Sequence, residues 1–112
     1  MVKTLLTWLR AVFLTRPVLM QGRSGRWAAV RAKYLEKNDV CAACGKSKAL
    51  EVHHVIPVHI NPDLELSEDN LITLCRTTCH LLIGHLGDWH NSNKHVREDA
   101  AHIFSRVLDS KN

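Results

Sequence analysis

Apolar residues along the chain fall into separated groups, and their spacing switches between the helix and strand periods. Leu5, Leu6, Leu9, Val12 and Phe13 recur at helical spacing. Lys3 followed by Leu5 and Leu6 imitates a secretory leader, but Arg10 interrupts the run and Arg16-Pro17 ends it. No uninterrupted run approaches the roughly 20 residues that a spanning helix needs. An amphipathic helix that packs on the domain or on a partner is predicted instead. Pro17 to Gly25 holds Pro, Gly and Ser and predicts a linker. The expected division is therefore residues 1–22 as helix and linker, and 23–112 as the functional domain.

Beyond the linker, Ser24 can cap a helix from about Arg26 to Lys37, with Trp27, Val30, Tyr34 and Leu35 on one face. Arg26, Arg31, Lys33 and Lys37 lie on or beside the other face. Asn38-Asp39 ends it. Leu50 to Val58 reads as a strand that leaves at Pro57, and its alternation sets Val52 and His54 against His53 and Val55. Ile60 to Asp69 is an acidic loop, Asn70 to Leu74 a returning strand, and Cys79 to about His85 the opening of a helix. Val96, Ala100, Ile103, Phe104, Val107 and Leu108 form the apolar stripe of a last helix over 95–108, expected to be core. The order is α+β, with helices flanking a small two-strand unit.

With 112 residues the sequence fits one small domain, whose limited core favours a metal staple. The formal net charge of +4 favours an anionic partner, nucleic acid first. The four cysteines change the picture more. Cys41-Ala42-Ala43-Cys44 is a compact knuckle, and Gly45 permits the positive φ that such a turn needs. Cys75 and Cys79 are a second pair with a wider gap. Two such pairs are the ligands of one tetrahedral zinc ion, since Zn²⁺ prefers soft thiolates. That reading places the chain in a reducing, cytoplasmic compartment; two disulfides in a secreted domain is the weaker alternative.

Between the pairs stands His53-His54, and His80 follows Cys79 directly. With Asn70 between them, these residues resemble the HNH endonuclease family, the ββα-metal nucleases. Arg26 to Cys41, Val52-His53-His54-Val55-Ile56-Pro57 and Asn70-Leu71-Ile72-Thr73-Leu74-Cys75 carry the resemblance too, which covers roughly Arg23 to His85. It implies a small ββα-metal core with a structural zinc knuckle, acting on DNA through one catalytic divalent cation (Mg²⁺, Mn²⁺, Ni²⁺ or Zn²⁺). His53 and His80 would bind that ion, and His54 would be the general base. Asn70 would join the catalytic group by orienting His54 or bracing the ββ turn. His80 comes ten positions after Asn70, where the family usually has nine. One inserted residue explains both this and the wide Cys75–Cys79 gap.

His85 lies five residues past His80, one more than a regular turn. A distorted turn could bring it to the metal; a phosphate contact or plain packing are the alternatives. His59, His90, His95 and His102 carry no motif. Asp63, Glu65, Glu68 and Asp69 read as a solvated loop, and Trp89 as packing, although Trp89 and Asn93 could shape the DNA side of a cleft. The rival to a nuclease is a zinc-binding module that grips nucleic acid or protein and cuts nothing.

Overall fold

The computed structural model describes residues 23–76 and 78–111. The expected helix and linker at 1–22 lie outside these. Helix α1 spans Trp27–Lys37, strand β1 Leu50–His54, strand β2 Leu71–Cys75, and helix α2 Val96–Lys111. A single wide turn, His80–Gly84, lies between β2 and α2. β1 and β2 pair antiparallel, with Glu51 opposite Leu74 and His53 opposite Ile72. The fold is α+β, as the hydrophobic pattern predicts.

Paired strand residues share a face, so this register sorts the small core into two layers. Val52 and Leu71 pack under Tyr34 of α1, with Trp27, Val30 and Leu35 around them. On the other face Ile72 and Leu74 join Val96 and Ala100 of α2 and the buried cysteines. Tyr34 Oη donates to the Leu71 carbonyl at 2.8 Å, and Arg97 donates to the same oxygen at 3.1 Å. One backbone acceptor thus ties both helices to β2.

Local chemistry moves several boundaries away from the expected ones. β1 stops at His54 rather than running on to Val58. The reason is Asn70, whose side chain accepts from Ile56 N–H at 2.8 Å and donates to Ile56 C=O at 3.0 Å. A side chain has taken the place of a strand partner. Ser24 lies before the helix proper; its hydroxyl accepts from Arg26 N–H, and Arg26 occupies the cap position. The α2 stripe is core only in its first half. Val96 and Ala100 are buried and Ile103 packs beside them, whereas Leu108 is 47% exposed.

The four cysteines converge at the end of the sheet. Their sulfurs all lie within 4.8 Å of one another, and Cys44 Sγ is 3.7 Å from Cys75 Sγ. A disulfide needs about 2.0 Å. Two thiolates on one tetrahedral zinc at ~2.3 Å stand roughly 3.75 Å apart. Geometry therefore fits a metal site and not a pair of bridges. Gly45 adopts φ +79°, as the knuckle requires. Backbone N–H groups point at the sulfurs, from Cys44 to Cys41 and from Cys79 to Cys75. Burial pushes the Cys41 thiol up, but N–H donors outweigh it and hold it at about 7. Burial pushes Cys79 well up. The Cys79 thiol ionises readily only if a cation offsets its burial.

The cysteines belong to the core and their geometry fits a metal ion, so depriving the chain of zinc should unfold the sheet. Treatment with a high-affinity zinc chelator is expected to abolish cooperative thermal unfolding, and added Zn²⁺ to restore it. Unchanged unfolding in a chain verified as zinc-free would show that the apolar core suffices alone.

Candidate metal centre and cleft

β1 delivers His53 and His54 to opposite faces, as strand alternation dictates. His53 turns toward the wide turn and His54 toward α1. Both nonetheless line one cleft of about 210 Å³, with Arg23, Pro57, His80, His85 and Trp89.

The wide turn brings His80 and His85 together. In a regular α-helix, residues five apart diverge by roughly 140° around the axis. Here His85 N–H bonds the carbonyl of His80, five residues back, at 3.2 Å, as well as that of Leu81 at 3.3 Å. This π-type turn swings both imidazoles to one side. Asn93 closes the turn: its N–H donates to Gly84 C=O and its side-chain amide to Ile83 C=O. Gly84 admits His53. A Cβ there would stand 3.1 Å from two atoms of the His53 ring, so any other residue would require that ring to shift by a few tenths of an ångström.

His53, His80 and His85 form a three-imidazole cluster. His80 Nδ1–H donates to the Glu51 carboxylate at 3.2 Å, and His85 Nδ1–H to the Asn91 carbonyl at 2.7 Å. Both partners are pure acceptors, so each neutral ring keeps its lone pair on Nε2. Those two Nε2 atoms face each other at 3.3 Å, and His53 Nδ1 lies 3.1 Å from His80 Nε2. The other His53 nitrogen, Nε2, is buried and has no hydrogen-bond partner among the described residues. Facing lone pairs repel unless a cation lies among them. A proton is a poor candidate: burial, then the neighbouring imidazoles, hold His53 down at about 3, and burial lowers His80. Two imidazoles on one tetrahedral ion at ~2.05 Å stand roughly 3.3 Å apart. The donor set therefore fits a divalent metal with positions left open.

His54 sits differently. It is buried, its ring lies 4.6 Å from that of Trp27, and its Nε2 is 2.9 Å from the Glu65 carbonyl. A carbonyl only accepts, so Nε2 carries the hydrogen and Nδ1 the lone pair. Burial lowers the His54 pKa, the Glu65 carbonyl raises it, and the nearby Arg23 charge lowers it again; burial prevails. The ring is neutral near pH 7, with its unprotonated nitrogen on Nδ1. Asn70 bonds Ile56 and the Leu64 carbonyl rather than the His54 ring. It fixes the loop that carries Glu65.

Several contributors were not legible as such. Glu65 is buried, contrary to the solvated loop expected for it, and its carboxylate accepts from Ser24 N–H at 2.9 Å. Asp63, Glu68 and Asp69 are exposed, as expected. Trp89 is 51% exposed rather than packed away, with its ring 5.2 Å from His80 and 4.9 Å from His85. Glu51, two residues before His53 and so on its face, was recoverable from strand alternation. His59, His90, His95 and His102 are exposed.

A family model described as HNH endonuclease matches residues 41–86. That segment runs from Cys41 to just past His85, and it upholds the resemblance read from the motifs. No curated protein and no solved structure matches the chain. Among the described residues, no helix is long and apolar enough to cross a membrane.

Two outcomes follow from this geometry. Glu51→Gln keeps the size but removes the anionic acceptor of His80, so affinity for Ni²⁺ or Mn²⁺ at the histidine cluster should fall ~10- to 100-fold. Isothermal titration of the zinc-loaded protein measures this, and an unchanged affinity would exclude Glu51 as the orienting group. The second concerns acid. With no ion on the histidines, His53 has a folded pKa of about 3, against ~6.5 when unfolded. The unfolded chain binds the proton first, so stability present above pH 6.5 is lost as pH falls. Urea midpoints should drop from pH 7 to 5.5, and His53→Gln should flatten that slope.

Proposed function

We propose that the protein is a metal-dependent endonuclease that hydrolyses DNA phosphodiester bonds, with His54 as general base and His53, His80 and His85 as ligands of the catalytic ion. One juxtaposition supports this reading most: a three-imidazole cluster with open positions shares a cleft with a buried neutral histidine whose free nitrogen is Nδ1. The HNH match over the same residues agrees with it.

In this reading water attacks phosphorus as its proton passes to His54 Nδ1, and the bond to the 3′ oxygen breaks. That oxygen leaves with a proton from solvent. The Glu65 carbonyl holds the ring by Nε2–H and stabilises the imidazolium as it forms. Asn70 acts through the loop as a positioning residue. The bound ion would supply positive charge to the phosphate oxygens and the departing oxygen. An all-imidazole set favours Mn²⁺, Ni²⁺, Co²⁺ or Zn²⁺ over Mg²⁺, which prefers oxygen ligands. Zinc would occupy the cysteine site. Lysine and arginine contacts with phosphates carry no sequence information, so binding is salt-sensitive and weakly sequence-specific.

Plasmid cleavage with Mg²⁺, Mn²⁺ or Ni²⁺, with and without EDTA, tests the reading. His54→Ala should lower the rate ~10²- to 10⁴-fold while zinc content and fold persist. A folded, zinc-loaded chain that fails to cut with any of these metals would instead be a non-catalytic binding module.

A further inference from the structure

Beside the histidine cleft lies a second, larger one of about 590 Å³. The two share Arg23, Pro57, His85 and Trp89, so they adjoin. Trp89 stands at the junction. The His80 and His85 rings cover part of the indole, and about half of the residue stays open to solvent. A large aromatic left open beside a metal cluster needs an explanation, because burying it would be favourable.

The backbone on either side of Trp89 is held in place. Asp88 N–H bonds His85 C=O at 3.0 Å, and Asn91 N–H bonds Asp88 C=O at 2.8 Å. Asn91 in turn accepts from His85, and Asn93 is anchored to Gly84. The segment that carries Trp89 is thus hydrogen-bonded to the same turn that presents His80 and His85. Arg23 lines both clefts, and its guanidinium lies 5.5 Å from the Trp27 ring centroid, which places a cation where an anion could meet it.

We infer that Trp89 is a stacking platform for an unpaired nucleobase of the DNA strand whose phosphate occupies the histidine cleft. A base inside a duplex offers no free face. The platform therefore selects single-stranded or unstacked DNA over intact duplex, and it does so for any base, because every base has a π-face. The inference takes the phosphate's position from the nuclease reading, but its test is one of binding.

The experiment measures fluorescence anisotropy of two labelled single strands of equal length and charge, an oligothymidine and the same backbone with every base removed. It uses zinc-loaded protein without added divalent ion. The protein should bind oligothymidine roughly 5- to 150-fold more tightly than the abasic strand. Trp89→Leu should bind both alike, and Trp89→Phe should keep an intermediate preference. Equal binding of the two strands by the unmodified chain overturns the inference without recourse to any variant. So does an equal loss for both strands in Trp89→Leu, which would make the indole only a cover for the ligand rings. A base preference that depends on Trp89 in a chain that cleaves nothing would sustain the platform and defeat the nuclease. Cleavage without the preference would do the reverse.

Discussion

Four sulfurs gathered within 4.8 Å at one end of a two-strand sheet set the frame for everything else. A sheet of two strands is marginal in water. This one is held by a knuckle before β1, the end of β2, and the residue that precedes the wide turn. Cys79 lies next to His80 in the chain, so the ligand that closes the cysteine site also fixes where the histidine turn begins. The strand register then brings His53 over that turn.

The histidine cleft solves a different problem, that of holding neutral imidazoles apart in role although they are adjacent in sequence. His53 faces two other rings whose Nδ1–H groups are already committed to acceptors. His54 faces a backbone carbonyl, with its lone pair on the opposite nitrogen. Strand alternation separates the two rings, and the loop braced by Asn70 supplies the carbonyl. The tautomers of His54, His80 and His85 are each set by a neighbour that can only accept.

Much of this was legible in the sequence for physical reasons. Thiolate spacing is a local property of a turn, so the cysteine pairs declared their site. Period-two alternation declared the opposed faces of His53 and His54. What stayed hidden depends on contacts distant in sequence. Glu65 looked like one more loop carboxylate because nothing local shows that Ser24 and His54 close over it. Trp89 looked like core because its exposure is set by the fold of the 85–93 segment. The end of β1 was misplaced because the side chain that replaces a strand partner at Ile56 comes from Asn70. The outer half of α2 kept a core-like stripe that no layer among the described residues covers.

The adjacency of Cys79 and His80 has a thermodynamic consequence. An ion at either site orders residues that the other site also needs, so each lowers the conformational entropy that the second must still remove. Linkage makes the effect reciprocal: whatever factor zinc on the cysteines adds to the affinity of the histidines, an ion on the histidines returns to the cysteines. With ions bound, the two centres would form one cooperative unit, and a chain starved of metal at the cysteines would lose its grip on an ion at the histidines with no change to the histidines themselves.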